Sequence, residues 1–107
     1  MKRIAPLTLV CLWALAPAAH AGNALDAGRL LAATCANCHG TDGRSVGGTE
    51  SLAGMPGDKL LRKLAAFTSG EKPATIMHQI AKGYTPDQLA LIAAYFAAQR
   101  PDAGVAR

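Results

Sequence analysis

Cys35 and Cys38 stand on either side of two residues, and His39 follows directly, giving the run Cys35-Ala36-Asn37-Cys38-His39 and then Gly40. Two thiols one helical turn apart can each add across one of the two vinyl groups of a single haem. The residue after them then places an imidazole beneath the iron. The run therefore predicts one covalently bound haem c, with His39 as the proximal ligand. Other uses of paired cysteines need surroundings that this sequence lacks: a thioredoxin-like centre sits in a βαβ unit, and a zinc site needs a further ligand pair. Past residue 21 the cysteines are Cys35 and Cys38 alone, and the one histidine besides His39 is His78. A simple disulfide or an incomplete metal site are the alternatives.

Helices are expected to hold these residues, since strand signals are weak throughout. Leu25 to Thr34 sets Ala27, Leu30, Leu31 and Thr34 at helical spacing and leads straight into the cysteine run. From His39 to Met55, Gly40, Gly43, Gly47, Gly48 and Gly54 predict a loop that turns closely around a haem edge. A second helix is expected from Asp58 to Phe67, with Leu60, Leu61, Leu64 and Phe67 inward and Lys59, Arg62 and Lys63 on a solvated face, ending at Ser69-Gly70. A short apolar piece, Thr75 to Ala81, is closed by Gly83. The last helix has the clearest start: Thr85 as N-cap, Pro86 at the first position, Asp87 in the first turn and Gln88 completing a capping box. It ends before Pro101, and Leu89, Ile92, Ala93 and Phe96 form its inward stripe. Gly28 either lets this helix cross the first one closely, with Tyr95 against the gap, or is a tolerated surface glycine.

The N-terminus predicts export. Lys2 and Arg3 precede a mostly apolar stretch from Ile4 to Ala18, and Ala19-His20-Ala21 has the small-x-small form of a cleavage site. Residues 1–21 are thus read as a secretory signal peptide and residues 22–107 as one domain, placed in the periplasm. The apolar stretch is short and carries Pro6 and Pro17, which argues against a retained membrane anchor. Cys11 and Trp13 leave with the leader, so three cysteines become a matched pair. The remaining core is small and holds few aromatics, Phe67, Tyr84, Tyr95 and Phe96; a buried haem would supply apolar surface that the alanine-rich chain lacks.

The net charge of +4 includes Lys2 and Arg3, and without them the basic side chains only slightly outnumber the 7 acidic ones. The basic residues are also scattered, which excludes a nucleic-acid binder. The modest cluster of Lys59, Arg62 and Lys63 has steering of an acidic redox partner as its second reading.

The order of features resembles the class I cytochromes c: helix, Cys-x-x-Cys-His-Gly, glycine-rich loop, middle helix, methionine-bearing segment, and a terminal helix with an aromatic pair. More narrowly, Phe67-Thr68-Ser69-Gly70-Glu71, Thr75-Ile76-Met77, Ile80-Ala81-Lys82-Gly83-Tyr84 and Ala94-Tyr95-Phe96 are similar to the cytochrome subunit of flavocytochrome c sulfide dehydrogenase. The resemblance implies an all-α fold, three main helices and a short one wrapped around haem. It also implies His and Met axial ligands, single-electron transfer, and redox partner proteins that include a flavoprotein sulfide dehydrogenase subunit. One departure stands out. Many class I cytochromes place a proline after the haem run whose carbonyl accepts the proximal histidine's Nδ1 proton; here Glu50 stands in the corresponding Glu50-Ser51-Leu52-Ala53-Gly54 segment, which puts that contact in question.

Past the leader, Met55 and Met77 are the thioether candidates for the sixth position. Met77, placed between His39 and Tyr95, is similar to the ligand segment of small class I cytochromes. Met55 lies near the loop and reads as a core gap-filler, and His78 is a rival as a bis-histidine ligand. A sulfur ligand would close the iron to small molecules and make the chain an electron carrier rather than an enzyme in itself. The alternative is a haem protein with an accessible iron, a sensor or weak peroxidase, which requires that Met77 not bind or be readily displaced.

Overall fold

The structure, a computed structural model, describes residues 21–102. Of the expected leader only its last residue, Ala21, falls within that range, so the leader with Cys11 and Trp13 lies outside the described residues. The described chain is all-helical: α1 (Ala21–Ala32), α2 (Ala36–His39), α3 (Gly57–Ser69), α4 (Met77–Lys82) and α5 (Pro86–Ala97), with a 3₁₀ turn at Thr41–Gly43 between α2 and α3. α1 packs on α5, and α3 packs on both α4 and α5. The three long helices and the short α4 match the sequence expectation; the one-turn α2 was not foreseen.

α5 forms as its local chemistry dictates. The Thr85 hydroxyl accepts from the Gln88 N–H at 3.2 Å, and the Gln88 side chain accepts from the Thr85 N–H at 2.9 Å. Both ends of the capping box are therefore closed, with Pro86 at a position where no N–H is needed. Ile92, Ala93 and Phe96 on its inner stripe are almost completely buried and Leu89 packs against them. Phe96 alone contributes about 1.5–3 kcal/mol by removing its ring from water.

The crossing of α1 and α5 settles the reading of Gly28. A Cβ on Gly28 would lie 2.5 Å from the Leu91 carbonyl oxygen and 3.0 Å from the Tyr95 Cβ. Helix backbone is in the way, not a flexible side-chain tip. Gly28→Ala is expected to force the two helices apart and cost about 1–3 kcal/mol, seen as a lower midpoint in denaturant unfolding. Gly47, whose added Cβ would meet nothing within 4 Å, is the control: Gly47→Ala should change stability by no more than about 0.5 kcal/mol.

Several expectations about faces are corrected. α1 begins at Ala21 rather than Leu25 and ends at Ala32 rather than Thr34, because the chain turns there through Cys35 N–H to Ala32 C=O at 3.0 Å. Leu30 is 78 % exposed and Leu61 is also exposed. Each sits one residue from an inward neighbour, the half-buried Leu31 or the buried Leu60, about 100° around the helix from it, so neither faces the core. Lys63 is not on the solvated face either, as described below. The glycine-rich loop turns against protein at Gly43, while Thr49, Glu50 and Leu52 further along it line the cleft described below. Gly43 has φ +79°, and a Cβ there would meet Phe96 and the Ala53 nitrogen, both at 2.8 Å. Its carbonyl accepts from the Leu52 and Ala53 N–H groups at 2.8 and 3.1 Å, which folds the loop back onto α5.

The same region is tied by side chains. The Tyr95 hydroxyl donates to the Asp42 carboxylate, and Arg44 Nε donates to the Arg100 carbonyl at 2.7 Å. Burial, and after it the Asp42 contact, pushes the Tyr95 phenol above its ordinary pKa. Loop, 3₁₀ turn and α5 thus form one scaffold on which α2 rests.

Candidate functional site

The cysteine run folds as the single turn that its chemistry needs. Cys38 N–H and His39 N–H both donate to the Cys35 carbonyl, at 3.2 and 2.9 Å. Cys35, Cys38 and His39 all line one cleft of about 370 Å³. Both thiols are free, and burial pushes that of Cys35 above its ordinary pKa. Among the described residues no group of three or more His, Cys, Asp or Glu side chains converges. The cysteines therefore lack the second ligand pair that zinc requires.

Leu60 and Leu64 from α3, and Ile92 and Phe96 from α5, form the apolar wall of the cleft. Met77, at the start of α4, is half-buried, lines the same cleft and packs against the core. The two other candidates for the sixth position are elsewhere. Met55 is 8 % exposed within the core cluster and is absent from the cleft wall. His78 faces a separate small cleft beside the Phe67–Ala74 stretch, where its Nδ1 is buried without a partner.

The contact put in question by Glu50 is present. His39 Nδ1 donates to the Glu50 carbonyl at 2.6 Å. A carbonyl can only accept, so the proton resides on Nδ1 and Nε2 keeps its lone pair for a metal. The residues fit a haem: two free thiols and an oriented imidazole on one turn, set into an apolar cleft with a thioether on its wall. Here Cys35 and Cys38 would carry the thioether bonds and His39 would ligate the iron. The bound group supplies one-electron chemistry at its iron; the chain supplies attachment, orientation and exclusion of water by the Leu60, Leu64, Ile92 and Phe96 wall.

The sequence reading missed Lys63. It lines the cleft, its side chain is 25 % exposed, and its Nζ donates to both carboxylate oxygens of Glu50 at 2.6 and 2.7 Å. That contact holds the Glu50 carboxyl below the usual carboxylate range. The available signal was its place beside Leu64, at the flank of the Leu60–Leu64 stripe. There a lysine stem lies along apolar surface while its ammonium reaches out to a partner.

The chain is similar in sequence to several known proteins. The cytochrome subunit of sulfide dehydrogenase from Chlorobaculum tepidum is 41% identical over 69 residues, which is 64% of this chain and 63% of that protein. Cytochrome c4 from Pseudomonas aeruginosa is 36% identical over 89 residues, covering 82% of this chain and 44% of its own length. Cytochrome c-554(548) from Halomonas halodenitrificans is 34% identical over 70 residues, 62% of this chain and 84% of that one. The chain spans less than two thirds of the length of the first two. The family model described as cytochrome c matches residues 25–99. With that match laid over the Cys35–His39 turn and the all-helical frame around its cleft, the chain belongs to the cytochrome c family, as a class I member carrying covalently bound haem c.

Proposed function

We propose that the protein is a periplasmic electron carrier whose haem iron is held between His39 and the Met77 sulfur, and that it serves as the haem subunit of a sulfide-oxidising flavoprotein. The observation that carries the ligand assignment is the shared cleft. His39 on α2 and Met77 on α4 line it together, while Met55 is spent in the core and His78 faces elsewhere. A thioether at the sixth position favours ferrous iron and leaves no place for peroxide or oxygen, which suits shuttling rather than turnover. In the carrier, His39 keeps its proton on Nδ1 and the apolar wall keeps water from the iron.

Residues 1–21 act in this reading as a cleaved leader that takes the chain to the periplasm. Among the described residues no helix is long and apolar enough to cross a membrane. The partner reading rests on the similarity to the Chlorobaculum tepidum subunit and on the rim of the cleft. There Ile76 is 53 % exposed beside Met77, an apolar edge of the kind that permanent interfaces cover.

Native purification tests the partner. Co-elution with a larger flavoprotein, and haem reduction when sulfide is added to that complex, is the expected result. A monomer that sulfide reduces no faster with the flavoprotein than without it would remove the subunit role and leave a free carrier.

A further inference from the structure

Glu50 does two things with two different atoms. Its backbone carbonyl accepts the Nδ1 proton of His39, and its carboxylate is gripped through both oxygens by Lys63 on α3. The loop that carries it is otherwise lightly held. Thr49, Glu50 and Ser51 are exposed, and among the described residues no backbone hydrogen bond is made by the Glu50 N–H. Leu52 and Ala53 are anchored on the Gly43 carbonyl, Ser45 is tied to the Ser51 hydroxyl, and Leu52 shares the core cluster with Leu60 and Leu64, but among the described residues the polar link from Glu50 itself to α3 is the Lys63 ion pair.

We infer that the Glu50–Lys63 pair is a clamp that positions the Glu50 carbonyl on His39 and thereby sets the donor strength of the proximal ligand and the reduction potential of the haem. The physical chain has two steps. A firm Nδ1–H···O=C bond makes an imidazole a stronger donor to its metal, and a stronger donor stabilises the ferric state. A clamp that holds the carbonyl in place therefore keeps the potential down, and releasing it lets the potential rise. Lys63 acts through Glu50 and is a positioning residue. The inference rests on His39 being the proximal ligand.

The sign of the effect separates positioning from simple charge. A cation near the iron raises the potential and an anion lowers it, so by field alone Lys63→Gln would lower the potential, Glu50→Gln would raise it, and the double variant would return close to the parent. A clamp predicts otherwise. Both single variants raise the potential, the double variant raises it no further than the larger single one, and Lys63→Arg, which keeps the pair, stays near the parent. The measurement is potentiometry on the haem-loaded proteins, joined to solvent exchange of the His39 Nδ1 proton by NMR in the ferrous state. Exchange should quicken on the order of fivefold in Lys63→Gln, the range open to a partly exposed pair.

Opposite shifts that cancel in the double variant, or unchanged exchange, would overturn the clamp. If the variants fail to take up haem, the parent protein still decides. Raising the salt concentration weakens a half-exposed ion pair and should quicken Nδ1 exchange, and exchange that ignores salt would count against the inference. Failure of the ligand reading looks different, because the parent protein itself would then lack a histidine-ligated spectrum before any variant is made.

Discussion

Replacing both Cys35 and Cys38 by Ser is expected to give a chain whose haem colour passes entirely into organic solvent on acid extraction, whereas the parent protein keeps its colour. The intact mass should fall by one haem in the same comparison. The fold should suffer with it. A domain this small has a modest core of its own, and here part of that core is the open apolar cleft of about 370 Å³ between α3 and α5. Without a tethered group to fill it, that cleft is left empty against α3 and α5, and the cooperative melting transition should broaden or vanish. A double variant that retained non-extractable haem would show that the thiols are not the attachment points.

The second large effect concerns the sixth ligand. Met77→Ala should abolish the weak sulfur-to-iron charge-transfer band of the ferric protein and open the ferrous protein to carbon monoxide. It should also lower the potential by on the order of 0.1 V or more, within the roughly 0.8 V that axial ligands command. Met55→Ala should do none of these. It removes a side chain that is 8 % exposed in the core, so it should cost about 2–4 kcal/mol in stability while leaving the band in place. The reverse pattern would assign the sulfur to Met55. Carbon monoxide binding by the unaltered protein would favour the open-iron reading, a sensor or weak peroxidase.

Why some of this could be read directly from the chain and some could not has a physical answer. The capping box of α5 and the Cys35–His39 turn are local: each is specified by residues within a few positions of one another, so their chemistry is visible in the string. The Gly28 crossing was visible only as a choice, because an absent side chain marks close approach and idle surface alike. Leu30, Leu61 and Lys63 went astray for another reason. They flank their helical stripes, and which flank is buried depends on where the neighbouring helix lies, which helical periodicity does not encode. The α5 side of α1 takes Leu31 and Ala32 and leaves Leu30 out, while the cleft beside α3 takes in Lys63. The Glu50 carbonyl is hidden more deeply still, since a main-chain acceptor has no residue type. The departure from proline drew attention to the right position, but only the path of the loop brings that oxygen to His39.

That last contact has a bearing on how the protein can change over generations. Because the oxygen that receives the His39 proton belongs to the main chain, no point mutation at position 50 can delete it; substitution can only shift it. A side-chain acceptor would be kept or lost outright, whereas this one can drift by fractions of an ångström as the loop is re-tethered. Selection acting here has a dial rather than a switch, and lineages can adjust the redox behaviour of the site in small heritable steps without passing through a form that has lost its ligand geometry.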